Sequence, residues 1–334
     1  MFNQSVGILG TGSYLPERRV LNDEIAPAFG VEPEWIARRT QIRERRYAEP
    51  GDAASDLAVR AAHVALERAG VPAERIDYII VSTATADTPF PPTAALVQNA
   101  LGARRAACFD INIGCSGFVY CIGLARAMAA VSPGSYALVL AAEVFSRFID
   151  PADRGTSVLL ADGAGAAVVG PVPASTGIID VDLRTHGEAH DLLVIPAGGS
   201  RNPASPQTLA EGGHYLKMRG RDVTDFVLSN VPGAVGDLLD RTGVRPHQVD
   251  HFIPHQANGV MLETLVERCG LVKARTHLTL EQYGNVGSAS VAITLDQAAS
   301  SGALAEGDMV LLAGFGGGMA LGNCLMRWSG PVAR

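Results

Sequence analysis

Apolar and polar residues along this chain fall into blocks whose period switches between two and about 3.6, which predicts strands interleaved with helices in a layered α/β fold. Val6 to Gly10 reads as a strand. From Ala53 to Ala69 the residues Leu57, Ala61, Val64, Ala65 and Ala69 recur at helical spacing, and Gly70 followed by Pro72 closes that helix. Ile76 to Thr83 is then a nearly continuous apolar run, the pattern of a strand buried on both faces.

The same order of segments occurs twice. The first half reads helix, AGVPAERIDYIIVSTATAD, helix, AACFDINIGCSGFVYCIGLA, helix, YALVLAAE; the second reads helix, TGVRPHQVDHFIPHQANG, helix, THLTLEQYGNVGSASVAITLD, helix, DMVLLAGFGGG. Asp77 matches Asp250 and Cys115 matches Ser288, both at an offset of 173 residues. Duplication accounts for this and predicts two α/β halves, 1–172 and 173–334, meeting in the Pro- and Gly-rich stretch GPVPASTG. Ligands collect where equivalent loops converge. The site is therefore expected among the Cys115, His255 and Asn285 loops and the glycine-rich loop from Gly314 to Gly318.

Composition narrows the class. Of 334 residues, 47% are apolar and 18% charged, which supplies a large interior and excludes disorder. A net charge of −7 argues against a nucleic-acid or anionic-membrane binder. Arg38, Arg39, Arg43, Arg45 and Arg46 form a local exception, readable either as a phosphate grip or as a solvated helix end with ordinary ion pairs. The N-terminal residues carry no secretory pattern, and no uninterrupted apolar stretch approaches the roughly 20 residues of a membrane span, so a cytoplasmic protein is expected. Five cysteines without C-x-x-C pairs point to core residues rather than a metal site, except that Cys115 has an unusual setting. His251 and His255 have the spacing of helical metal ligands, but Pro254 and the apolar residues around them indicate a strand end. His186 and His190 read as part of a polar surface loop, and no metal or cofactor is expected.

Cys115 follows the β-type run CFDINI and precedes an apolar helical segment with Phe118, Val119, Ile122, Ala125 and Met128 on one face. A cysteine on such a turn faces outward, beside backbone N–H groups and the positive end of a helix that favours thiolate. The alternative is a buried structural cysteine. His255 also stands at a strand-to-helix junction, placed to act as a hydrogen-bond donor or a base, and Asn285 lies in the glycine-flanked turn YGNVGSAS before another helix, where its amide can meet a ligand carbonyl; taken singly, such a histidine is more often structural and such an asparagine a turn former. A Cys, His, Asn order also occurs in papain-like hydrolases, but here the cysteine lies deep in the chain, without the local signature of that family, inside a duplicated architecture.

Across nearly its whole length the chain resembles the β-ketoacyl-acyl carrier protein synthase III family of the thiolase superfamily. The resemblance rests on WIARRTQIRERR, TPFPPTAALVQ, GCSGFVY, DRGTSVLLADGAGAAVV, PHQAN, YGNVGSASVAITLDQA and FGGGMALGNCLMRW. It implies a thiolase-like fold with α-β-α-β-α layers and a decarboxylative Claisen condensation. An acyl group from acyl-CoA would pass to Cys115 and then to the enolate of a malonyl thioester carried by CoA or acyl carrier protein. By the same resemblance His255 and Asn285 hold the malonyl thioester oxygen, and the N–H groups of Cys115 and Gly317 hold the tetrahedral oxyanion. Trp35, Arg39 and Arg154 would grip CoA, and Phe90 would reach across a homodimer interface to the partner's acyl pocket.

Two departures stand out. Val260 occupies the place of an arginine that many members use to dock the carrier protein, and Ser116 with Asn112 to Gly114 replaces an alanine-rich version, which is expected to reshape the pocket floor and points toward specialised or polyketide metabolism. The competing reading is acyl transfer to an alcohol or amine without decarboxylation; retention of Asn285 favours condensation.

Overall fold

The computed structural model describes residues 5–330. Its strands are β1 (Val6–Tyr14), β2 (Arg19–Leu21), β3 (Glu44–Arg46), β4 (Tyr78–Ser82), β5 (Ala107–Ile111), β6 (Ala137–Val144), β7 (Asp162–Pro171), β8 (Gly177–Thr185), β9 (Leu193–Val194), β10 (Lys217–Met218), β11 (His251–Pro254), β12 (Arg275–Thr276), β13 (Met309–Gly316) and β14 (Ala320–Arg327). Two five-stranded sheets form, ordered β1-β7-β6-β4-β5 and β12-β11-β13-β14-β8.

Reversing the first order aligns it with the second, strand for strand. In each sheet the strand after the repeated aspartate (β4 after Asp77, β11 after Asp250) is parallel to both neighbours, and the next two pairings are antiparallel. The aspartates themselves act alike: the Asp77 carboxylate accepts from the N–H of Tyr136, and Asp250 from that of Met309. The repeat in the sequence is thus a repeat in three dimensions.

Helices Gly117–Val131 and Ser290–Ser300 lie between the sheets, helices Ala54–Ala69 and Thr93–Leu101 cover the first sheet, and Gly220–Thr242 and Gly259–Arg268 cover the second. The layers therefore run α-β-α-β-α. A central core containing Phe118, Ile122, Val291 and Ile293 is flanked by one apolar cluster on the outer side of each sheet. Gly114–Val131 is long and apolar enough to cross a bilayer, yet it lies in the middle layer because both its faces meet sheets.

Several elements differ in extent from their sequence patterns. β1 runs on to Tyr14 because Gly10 to Tyr14 pair with β7, although Gly10, Gly12 and Ser13 weaken the β-type signal there. The helix after His255 starts only at Gly259, where the Asn258 side chain caps the N–H of Met261. Helix Gly220–Thr242 passes through Pro232 without ending. Cys108 is only half buried, unlike the other three expected core cysteines.

Candidate active site

Cys115 sits on a short 3-10 turn, Gly114–Ser116, between the end of β5 and helix Gly117–Val131. Gly316, at the end of β13, faces it: a Cβ there would lie 2.9 Å from the Cys115 sulfur, and its φ of 147° is open only to glycine. That absent side chain is the space in which the sulfur sits. The backbone N–H groups of Gly317 and of Cys115 itself are directed at the sulfur and favour its thiolate, but burial outweighs them and pushes the thiol up to about 12. The thiolate preference expected at the helix start is therefore outweighed: the helix end is real, but desolvation is the larger effect.

His255 follows β11 with its backbone N–H bound to the carbonyl of Ala313 at 2.7 Å. Its ring is 2% exposed and meets Phe315 edge-on, with centroids 5.4 Å apart. Nδ1 is sealed without a partner, leaving the Nε2 edge for the cavity. Burial lowers its proton affinity to about 3, so the imidazole is neutral. Burial disfavours charge on both groups, so the resting pair is a thiol and a neutral imidazole, and His255 is placed to act as a neutral donor.

Asn285 is pinned by its backbone, with its N–H on the carbonyl of Leu159 and its carbonyl taking the N–H of Ala161, each at 2.9 Å. Its Oδ1 accepts from the N–H of Gly287 at 2.9 Å, which turns the amide NH2 toward the open side. Cys115, His255 and Asn285 thus line one cavity of about 670 Å³, together with Phe315 and Gly316.

The same cavity extends to Trp35, Arg39 and Arg154 at its mouth. The Arg154 guanidinium lies 4.8 Å from the Trp35 ring centroid and that of Arg39 lies 6.0 Å from it, an indole flanked by two cations and suited to a base with phosphates. The basic cluster is not a single patch. Arg43 pairs with Glu281, Arg46 lies over Tyr283, and Arg45 is fully buried on Asn22 and the carbonyls of Val20 and Val158. Of the five arginines, only Arg39 lines the cavity.

Other expected positions lie elsewhere. Phe90 is 85% exposed and does not line this chain's cavity. Ser116 is fully buried, donates to the carbonyl of Ile113 and is absent from the cavity wall, so it does not reshape the pocket floor. Val260 is 44% exposed in the first turn of helix Gly259–Arg268. His186 contacts Glu188 and the Phe226 ring, and His251 is held between His277 and Asp308.

The sequence pattern gave no sign of Leu193, Met218 and Arg221, which also wall the cavity. Leu193 and Met218 pair across the two-residue ribbon β9–β10, too short to leave a periodic signal. Arg221 begins helix Gly220–Thr242, and a cation at a helix N-terminus, where the dipole disfavours it, was the available clue.

Comparison with known proteins agrees with this geometry. Residues 109–187 match the family model for 3-oxoacyl-[acyl-carrier-protein (ACP)] synthase III, and residues 239–328 match the model for its C-terminal part. The acetoacetyl CoA synthase NphT7 of Streptomyces sp. (strain CL190) is 47% identical over 323 residues, covering 96% of this chain and 98% of the relative. The β-ketoacyl-[acyl-carrier-protein] synthase III of Caldanaerobacter subterraneus subsp. tengcongensis is 44% identical over 97% of this chain and 98% of its own. The crystal structure of the priming β-ketosynthase from the R1128 polyketide biosynthetic pathway superposes with a TM-score of 0.89 at 37% identity, covering 98% of both chains. With relatives of that identity aligned from end to end, and with a doubled sheet order that converges on a single cysteine, the chain belongs to the β-ketoacyl-acyl carrier protein synthase III family of the thiolase superfamily.

Proposed function

We propose that the protein joins an acyl group held on Cys115 to a malonyl-type thioester with loss of carbon dioxide, and that CoA carries both substrates. The observation that carries this reading is the meeting of Cys115, His255 and Asn285 in one cavity whose mouth holds Trp35, Arg39 and Arg154. In the first step the Cys115 sulfur bonds to the acyl carbon, the acyl–CoA thioester bond breaks, and the thiol proton leaves with CoA. The departing thiolate is a far better acceptor for that proton than an imidazole near 3.

In the second step the malonyl carboxylate leaves as carbon dioxide, and its bonding pair becomes an enolate whose oxygen takes hydrogen bonds from His255 and the Asn285 NH2. A neutral His255 suits this, because it donates to the enolate without delivering a proton that would quench the carbanion. The carbon attacks the acyl-cysteine, the resulting oxyanion is met by the N–H groups of Cys115 and Gly317, and the carbon–sulfur bond breaks. The Cys115 sulfur then regains a proton.

CoA as the carrier of the extender is supported by three guanidinium groups at the cavity, those of Arg39, Arg154 and Arg221, and by exposed Val260 where a docking cation is absent. CoA bears more phosphate charge than a carrier-linked phosphopantetheine arm. A homodimer is supported by the uncovered edge strand β5 and the exposed Phe90 beside it. The test is intact-mass analysis with acyl-CoA donors, followed by carbon dioxide release from carboxyl-labelled malonyl-CoA and malonyl carrier protein. Cys115→Ala should take up no acyl group. Acylation of the parent enzyme without carbon dioxide release would turn the reading to acyl transfer onto an alcohol or amine.

A further inference from the structure

Glu143 lies near the end of β6, fully buried, and takes no part in the mechanism above. Its carboxylate accepts from Ser288 Oγ at 2.6 Å, from Thr85 Oγ1 at 2.7 Å and from the N–H of Ala84 at 3.2 Å to each oxygen. The Thr85 hydroxyl already accepts from the N–H of Val144, so its own proton goes to Glu143. Each of these partners is uncharged. An anionic group taken out of water without a counter-charge is costly, and a role purely in packing would be filled more cheaply by an apolar or amide side chain.

The position of Glu143 in the duplicated fold explains what it touches. Ser288 is the counterpart of Cys115, and Gly316 is the counterpart of Glu143, both at the 173-residue offset. In the working site Gly316 leaves the space that the sulfur occupies; at the matching place in the other half, Glu143 fills that space and binds Ser288. The second nucleophile position is plugged, and the plug spans both halves. Ser288 belongs to the turn that begins at Asn285, and this turn presses on β6 so closely that a Cβ on Gly287 would lie 2.3 Å from Phe145 and 3.2 Å from Glu143 Cγ.

We propose that Glu143 is a positioning residue: through Ser288 it fixes the turn that presents Asn285 to the malonyl thioester. The inference rests on the condensation proposed above. Burial holds the Glu143 carboxyl up at about 7, while the hydrogen bonds from Ser288, Thr85 and Ala84 draw it down.

Glu143→Gln keeps the shape and changes the acceptor of the Ser288 hydroxyl; Ser288→Ala removes the bridge. Both variants are expected to release carbon dioxide from malonyl-CoA about tenfold more slowly, with acylation by acyl-CoA held within about threefold of the parent. Parent-like carbon dioxide release by Ser288→Ala overturns the bridge, and this variant carries that test even if Glu143→Gln does not fold. Acylation that falls as far as carbon dioxide release also overturns it, because the effect then belongs to the whole site and not to the Asn285 turn. If the parent enzyme itself releases no carbon dioxide, the condensation fails instead, and amide exchange then decides the bridge: Ser288→Ala should speed exchange across residues 285–288, and unchanged exchange there overturns it.

Discussion

Cys115 and His255 are a thiol and a neutral imidazole, not the ion pair of a cysteine hydrolase, because both are buried and burial disfavours charge on each. Alkylation of the free enzyme by iodoacetamide should therefore keep accelerating with pH beyond the roughly 8.5 of an ordinary cysteine; a plateau below pH 8 contradicts this. Gly316→Ala should put a methyl within 2.9 Å of the sulfur and slow acylation about 100-fold in a folded protein, read by intact mass. His255 also makes a stability prediction. The folded protein binds a proton on this ring only near pH 3 and the unfolded chain near 6.5, so in that window the unfolded state holds more protons. Stability must then fall as pH drops from 6.5 toward 3, by up to about 1.4 kcal/mol per pH unit from this group. His255→Gln should lose less stability between pH 6.5 and 4 than the parent in denaturant titrations, and equal losses would count against a buried neutral ring.

At the scale of elements, the site depends on how helix Gly259–Arg268 is joined to helix Pro33–Thr40. Asn258 caps the first helix through Met261 and donates its amide to the carbonyl of Arg39 at 3.0 Å in the second, so one side chain links the His255 loop to the Trp35 and Arg39 side of the cavity. Asn258→Ala should cost about 1 kcal/mol of stability and raise KM for acyl-CoA more than it lowers kcat; a changed kcat at constant KM would place its effect on the chemistry instead. The elements that carry this site were legible where burial imposed a period. The helix ending at Gly70 is one case, with that glycine at φ 63°, and the doubled order around Asp77 and Asp250 is another. Cys115 and His255 were legible because each lies between a strand and a helix, and Asn285 because its glycine-flanked turn precedes one, although it follows the short helix Leu280–Tyr283 and not a strand. What stayed hidden lacks a period or depends on distance through space. The ribbon β9–β10 is two residues per strand, Glu143 lies within an unbroken apolar strand, and desolvation of Cys115 exists only once two halves close over it.

For the whole molecule the open question is what covers the outer edge of the first sheet. Both sheets end in an edge strand at matching positions, but β12 has two residues whereas β5 has five, none of them buried, including the apolar Phe109 and Ile111. A long apolar edge with unpaired backbone groups invites a further strand. Phe90, 85% exposed, and Leu96, 37% exposed, extend the apolar area next to it. A second copy related by a two-fold axis would pair β5 with β5, merge two sheets into one of ten strands, and carry Phe90 into the partner. Light scattering after gel filtration should then give twice the chain mass. Exchange of those amides of residues 107–111 that face away from β4 should slow as protein concentration rises, because the outer side of β5 has no partner strand among the described residues. Phe90→Asp should weaken the dimer and alter which acyl-CoA chain lengths load Cys115, while leaving the monomer fold intact. A monomer at micromolar concentration, with exchange at 107–111 independent of concentration, would leave β5 an edge of the single chain and remove Phe90 from the acyl pocket.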